Sequence, residues 1–579
     1  MFKVLFQLKW FFKENWLSYL IACTSLIMAS ALTLIPPRIL GNFVDAVYSP
    51  EFGMTLTQDK LVYYGVILIV TMILGYIVRY TWRYFLFGAG FKLEYIYRRR
   101  FYKHLLNMDT KFYETNMVGD LMAKATVDLN QLQFSASRGI LMLLEATIYL
   151  ASILAIMAFD INLTLTLLAI IPLPVVILVS RFIGKRLHRQ VREEQDEFGV
   201  LNDLTLESVS GVRVVRAYTQ EENDKKKLNT QEDIVFDKAI KVFSTHALFM
   251  ITFRIVFASA YAISIIYGSK LIMDGVIATG DLLAFSMYLG MLGWPMMAFG
   301  QMVNILQRGS ASYDRINTVF TSESEVVAGD QEVNQFENIK FNDYSFEYPL
   351  SEDVDIKNIS FEITKGQTVG IVGKTGSGKS TIIKQLLRYY KYGEGDLTLN
   401  GTNIKDYDLK ALRSLFGYVP QDHVLFSRTV EENIKMSAPE SDGKNVERAI
   451  DAADFRKDIQ FLNEGLETMA GEDGVMLSGG QKQRLQIARA LLKKPEILIL
   501  DDSLSAVDGE TESTILENLR KERKGKTNII IAHRLSAVIH ADNIVVMDEG
   551  KIVDSGTHSE LIEKDGWYAS QYHIQQMEE

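Results

Sequence analysis

Gly373-Lys374-Thr375-Gly376-Ser377-Gly378-Lys379-Ser380-Thr381 sets glycines, lysines and hydroxyl side chains between an apolar run and the helix-like Ile382 to Leu387. Glycines leave backbone N–H groups free to wrap a phosphate chain at a helix N-terminus. In such a loop Lys379 meets the β and γ phosphates and Ser380 ligates Mg²⁺, so the chemistry is ATP binding. The other half of a phosphate-loop ATPase is a buried strand ending in an acid near the metal, and Ile497-Leu498-Ile499-Leu500-Asp501 supplies one. Between the two lies Leu477-Ser478-Gly479-Gly480-Gln481, at the start of a basic helix beginning Lys482-Gln483-Arg484. It forms a second anion-binding surface. One phosphate loop and a second cradle in the same chain suggest two chains that share ATP.

These residues belong to only part of the chain. At 579 residues it is several times the size of one core. Up to about residue 310 long apolar runs dominate, and from Glu323 charges and glycine-rich turns punctuate short β-like segments. A hydrocarbon core about 30 Å thick needs roughly 20 apolar helical residues. Asn15 to Pro37, Leu61 to Val78, Ile140 to Phe159, Ile161 to Ser180, Val242 to Ser269 and Leu282 to Gln307 qualify, giving six spans. Lysine and arginine crowd the segments after spans two and four, for example Arg98, Arg99 and Arg100, then Lys185, Arg186 and Arg189. Those segments are therefore cytoplasmic, and so is the ATP-binding half.

The two cytoplasmic connections are about 60 residues each and lack disorder-type composition, so helical extensions of the spans are expected. Aromatic and charged residues at their tips, Asp109-Thr110-Lys111-Phe112-Tyr113-Glu114 and Ala217-Tyr218-Thr219-Gln220-Glu221-Glu222, favour docking onto another domain over solvated turns. The expected division is 1–320 transmembrane, 321–335 an acidic linker and 336–579 an α/β ATPase domain with a buried parallel sheet. Net charge of -10 gives no basic surface for nucleic acid. The single cysteine, Cys23, excludes an intrachain disulfide and a cysteine metal site. Lys3, Lys9 and Lys13 before an apolar run ending near Ala29-Ser30-Ala31 mimic a signal peptide, but the further spans favour an uncleaved first helix.

With the LSGGQ string, the sequence resembles the ATP-binding cassette transporters, and the resemblance covers nearly the whole chain. It implies that Tyr348 stacks on adenine, that Gln421 senses Mg²⁺ and faces the membrane domain, and that Gly471-Glu472-Asp473-Gly474 is the exporter loop before the signature. It also implies that Asp508, in Ser505-Ala506-Val507-Asp508, lies in the loop crossing the dimer interface and that His533 is the switch histidine meeting the γ phosphate. Phe112-Tyr113-Glu114 with Gly119-Asp120-Leu121, Gly211 to Tyr218, and Gly280-Asp281-Leu282 through Trp294-Pro295 look like segments of the six-span exporters. On that resemblance the fold is an α-helical six-span transmembrane domain followed by a cytosolic P-loop ATPase domain in the cell membrane. The cytoplasmic tips are then coupling helices, and spans four and five cross to a partner chain.

One position departs from the pattern. Active members carry a water-polarising glutamate after the metal-binding aspartate, and here the residue is Asp502. A side chain one methylene shorter reaches roughly 1.5 Å less, and angstrom-scale misplacement can cost about a hundredfold in rate. Slow hydrolysis is expected at this chain's own loop, while Ser478, Gly480 and Gln481 complete a partner's site. The pattern resembles the degenerate-site half of the bacterial heterodimeric multidrug exporters of the LmrCD, BmrCD and EfrCD type, whose partner would carry the glutamate.

Substrate signals are weaker. Met291, Trp294 and neighbouring methionines in span six suit adaptable binding of hydrophobic small molecules, and ordinary helix packing explains them equally. Glu145 and Arg254 are ionisable groups inside spans, which pair with each other, meet cationic drugs or snorkel to the interface. The competing readings are a lipid or peptide exporter and an ATP-binding channel or regulatory subunit.

Overall fold

The computed structural model describes residues 2–48, 58–351, 355–471, 474 and 477–578. It divides into two compact units, one of Met1–Lys103 with Gly119–Thr321, the other of His104–Val118 with Ser322–Glu579.

The first unit is helical. Among the described residues five helices are long and apolar enough to cross a membrane: Trp16–Val47, Asp59–Leu105, Val118–Ile161, Glu221–Met273 and Thr279–Phe320. The fourth expected span, Ile161 to Ser180, is shorter in its apolar part, Leu163–Val175. Asn162 caps that stretch by accepting the Leu165 N–H at 2.9 Å. Pro172 cannot donate to a helical ladder, so the stretch divides into Leu163–Ile170 and Leu173–Ser210. The first span also differs from expectation, because its helix continues through Pro36 and Pro37 to Tyr48. Such prolines are tolerated where neighbouring helices hold the backbone, and here Tyr288 donates to the Leu34 carbonyl at 2.7 Å.

The long cytoplasmic connections are helical, as their composition predicts. Leu173–Ser210 and Glu221–Met273 pack along each other and are joined by the short helix Val212–Ala217, which buries none of its residues. Val118–Ile161 is interrupted by three π-helical segments, Lys124–Asp128, Glu145–Tyr149 and Ile156–Ile161. Such insertions re-aim the side chains that follow them.

Among the described residues the second unit holds ten strands: β1 Asn338–Phe346, β2 Ile356–Thr364, β3 Thr368–Gly373, β4 Glu394–Leu399, β5 Thr402–Asn403, β6 Phe416–Val419, β7 Ile497–Asp501, β8 Thr527–Ile531, β9 Asn543–Asp548 and β10 Lys551–Gly556. One sheet has the order β2-β1-β4-β5 and is antiparallel. The other has the order β10-β9-β3-β8-β7-β6 and is parallel except for β10. Parallel strands covered on both faces need unbroken apolar runs, and all five residues of β7 are buried. Residues 322–337 contain neither helix nor regular strand, yet they are tied down: Gly329 N–H donates to the Tyr407 carbonyl at 3.0 Å and Arg388 to the Val327 carbonyl at 2.7 Å.

Candidate nucleotide site and transmembrane carboxylate

The carboxyl ends of β3 and β7, one strand apart, open the crevice where ligands of open α/β sheets bind. Gly373 to Gly378 loop out of β3 into the helix Lys379–Leu386. Gly378, its N-cap, has φ +94, and a Cβ there would meet the Asp355 carbonyl at 2.9 Å, so the turn requires glycine. Lys379 is buried and donates to the carbonyls of Gly373 at 2.9 Å and Lys374 at 2.8 Å. Burial pulls its ammonium below the usual lysine range, against the opposing pull of Asp502 and Asp501. Ser377 Oγ is buried without a hydrogen-bond partner among the described residues, as expected of a hydroxyl aimed at a ligand. Lys374, Thr375 and Gly376 are exposed along the same loop.

Ser380 donates to Asp501 Oδ1 at 2.8 Å, and Tyr418 donates to Oδ2 at 3.2 Å. Burial raises the Asp501 carboxyl, and those two hydrogen bonds oppose the shift. A serine oxygen and a buried carboxylate side by side are hard oxygen donors of the kind Mg²⁺ takes, so the residues present fit that ion. Gln421 is exposed on the loop after β6, and no hydrogen bond joins it to Ser380 or Asp501 among the described residues. Asp502 follows with φ +47, a left-handed conformation that Asp tolerates better than most residues. Its N–H donates to the Ile531 carbonyl at 2.9 Å and its carbonyl accepts from Ser505 Oγ at 2.9 Å, so the backbone is pinned on both sides.

Tyr348, just beyond β1, donates through its hydroxyl to Thr381 Oγ1 at 3.1 Å. The Lys384 ammonium lies 5.2 Å from its ring centre. Base, phosphate and metal candidates therefore converge around one loop.

The signature is held by contacts of its own. Ser478 caps the helix Gly479–Leu492, and Ser478 and Gln481 exchange bonds in a capping box of 2.9 and 3.4 Å. A Cβ on Gly480 would approach the Ala506 carbonyl at 3.2 Å, and Gln483 accepts from the Ala506 N–H at 3.1 Å. No hydrogen bond or ion pair joins Ser478–Gln481 to Gly373–Thr381 among the described residues. Asp508 is exposed and caps the helix Gly509–Glu522, accepting the Thr511 N–H at 2.9 Å. That bond and one from the Thr511 hydroxyl hold its carboxyl below the usual range. His533 is exposed, and its carbonyl accepts from Gln575 at 2.9 Å. In the loop before the signature, Glu472 and Asp473 lie outside the described residues.

In the helical unit Glu145 does not pair with Arg254. Its carboxylate accepts from the indole N–H of Trp294 at 2.7 Å, and Arg254 is exposed on Glu221–Met273 with no ion pair to Glu145 among the described residues. Met291 is half-buried at the end of the helix Thr279–Met291. The residues following Glu145 and Trp294, namely Ala146 and Pro295, line an apolar cavity of about 380 Å³ with Leu150, Leu154, Met296 and Phe299. Sequence reasoning named Glu145 and Trp294 separately but not their bond, which joins residues far apart in the chain. It also missed Tyr418, since an aromatic in a buried strand carries no signal of its own.

Residues 19–296 match the family model described as the ABC transporter transmembrane region, and 356–505 match the one described as ABC transporter. The chain is 47% identical over 579 residues to a probable multidrug resistance ABC transporter ATP-binding/permease protein, YheI, of Bacillus subtilis, covering 100% of this chain and 98% of that one. It is 37% identical to the multidrug resistance-like ATP-binding protein MdlA of Escherichia coli, covering 99% and 96%. In fold it resembles a bacterial Atm1-family ABC exporter with ATP bound, with TM-score 0.80, 24% identity and coverage of 96% and 99%. The chain therefore belongs to the ATP-binding cassette transporters as an exporter-type half-transporter, a multi-pass membrane protein whose C-terminal cytosolic ATPase couples hydrolysis to transport.

Proposed function

We propose that this chain is one half of an exporter that moves hydrophobic or cationic drugs out of the cytoplasm across the cell membrane by alternating access. Its partner is a homologous half with glutamate after the metal-binding aspartate. The names of YheI and MdlA support the substrate class. The observation that carries the division of labour is Asp502, whose pinned backbone gives a short carboxylate no slack to recover the reach of glutamate.

On this reading residues 1–320 form the membrane domain, 321–335 the linker and 336–579 the ATPase domain. Tyr348 stacks on adenine, Gly373 to Thr381 hold the phosphates, and Ser380, Asp501 and Gln421 hold Mg²⁺. The ion would neutralise phosphate charge. His533 meets the γ phosphate of this chain's own ATP, which is bound longer than it is consumed. Ser478, Gly480 and Gln481, with Asp508 beside the interface, serve ATP held in the partner's loop. That no hydrogen bond or ion pair joins them to Gly373–Thr381 among the described residues supports this assignment. Glu145, Trp294 and Met291 meet substrate beside the apolar cavity, with Arg254 on the neighbouring long helix.

Uptake of ethidium into inverted membrane vesicles tests export. With both halves present, ATP should drive accumulation against the gradient, and a Lys379→Ala substitution in this chain should reduce it. Equal uptake with and without ATP would instead mark a channel or a regulatory subunit.

A further inference from the structure

The first cytoplasmic tip belongs to the same compact unit as the ATPase fold. Its short helix Thr110–Thr115 buries Phe112 and is capped by Asp109, which accepts the Phe112 N–H at 3.1 Å. The other Asp109 oxygen accepts Ser324 Oγ at 3.1 Å and the Glu325 N–H at 2.7 Å, and Lys111 pairs with Glu325. Glu114, on the same helix, accepts the hydroxyl of Tyr390. Tyr390 is only 2% exposed. Its ring meets the ring of Tyr348 edge to face, with centroids 4.9 Å apart and planes at 82°. Tyr348 in turn donates to Thr381 at the end of the phosphate loop. An unbroken line of contacts thus runs from the loop through two aromatic rings to a carboxylate on the tip.

We propose that Tyr390 is a positioning residue that reports adenine occupancy of the ATP site to the first cytoplasmic tip, through its hydroxyl's bond to Glu114. The inference rests on the reading of Tyr348 as the adenine contact. A base stacked on Tyr348 takes the face over which Lys384 now lies and fixes the ring's tilt. Tyr390 packs against that ring and cannot stay still when it moves, since close-packed interiors transmit displacement. Its hydroxyl is a dependable donor, because burial and the neighbouring Glu114 push the phenol well above its usual range. The Tyr390 hydroxyl makes no hydrogen bond to a phosphate-loop residue among the described residues, so losing that hydroxyl alone spares nucleotide binding.

The test uses the full transporter with its partner half in proteoliposomes, and reads ethidium moved per ATP hydrolysed. Tyr390→Phe keeps the ring and removes the bond. It should lower that ratio about tenfold, the worth of one hydrogen bond to a charged group, with ATP affinity and basal turnover kept. Glu114→Ala cuts the same bond from the other side and should give the same loss. Tyr348→Ala should weaken ATP binding and lower the ratio. Combined with Tyr390→Phe it should lower the ratio no further than the worse single change, because both act on one line of contacts. An unchanged ratio in Tyr390→Phe and Glu114→Ala, or losses that multiply in the double variant, would overturn the relay while leaving the adenine reading intact. Unchanged ATP affinity in Tyr348→Ala would overturn both. A merely structural Tyr390 would lower thermal stability and leave the ratio as it was.

Discussion

At the scale of single residues, the ATP site combines groups whose placement is costly without a ligand. Lys379 is buried on two carbonyls, Ser377 Oγ has no hydrogen-bond partner among the described residues, and the Asp501 carboxylate is buried with two donors. Phosphates entering the loop supply the negative charge that Lys379 lacks. Lys379→Ala in this chain should therefore weaken ATP binding at its own loop by about tenfold or more, read by nucleotide titration. Lys379→Arg should not restore it, because a guanidinium fork cannot take the place of a compact ammonium held on two carbonyls. These residues were legible in the sequence, since glycines, hydroxyls and a lysine at that spacing serve few purposes besides phosphate. Tyr418 and Tyr390 were not, because an aromatic at a strand or helix end is the ordinary material of a core. The left-handed backbone at Asp502 was hidden too, as Asp adopts it without any glycine to announce it.

At the scale of elements, two contacts set how helices meet. Arg484, on the signature helix, makes two bonds to Asp458 at 2.6 and 2.7 Å, and both residues are buried. Asp458→Ala should destabilise the ATPase domain by about 3–5 kcal/mol in denaturant unfolding, because it strands a buried guanidinium. Replacing both partners with apolar residues of similar volume should cost far less. In the helical unit Gly41 and Gly280 bring two backbones together, and a Cβ on Gly41 would meet the Gly280 carbonyl at 2.6 Å. Small residues permit such approach between membrane helices. Gly41→Ala should cost about 1–3 kcal/mol by overpacking and lower the thermal unfolding midpoint in detergent. The spans themselves were legible from apolar length. Their ends were not: Pro36 and Pro37 suggested a stop where the helix runs on, and Pro172 divides a stretch whose composition looks continuous. The π segments depend on packing between helices, which no local pattern records.

At the scale of the whole molecule, the chain carries a phosphate loop and a signature that no hydrogen bond or ion pair joins among the described residues, together with a second cytoplasmic tip whose Tyr218 is 74% exposed. On the proposed reading one half-transporter presents parts of two ATP sites, and Asp502 makes those sites unequal. In the sequence the proposed asymmetry rests on a single methylene, because the residues on either side of it follow the family's pattern. The structure holds the Asp502 backbone between Ile531 and Ser505, and on the proposed reading this leaves the carboxylate short. The most direct measurement is steady-state ATP hydrolysis by this chain purified alone, beside its Asp502→Glu variant. The account predicts slow turnover that rises by up to about a hundredfold in the variant. Fast turnover that Asp502→Glu leaves unchanged would contradict it.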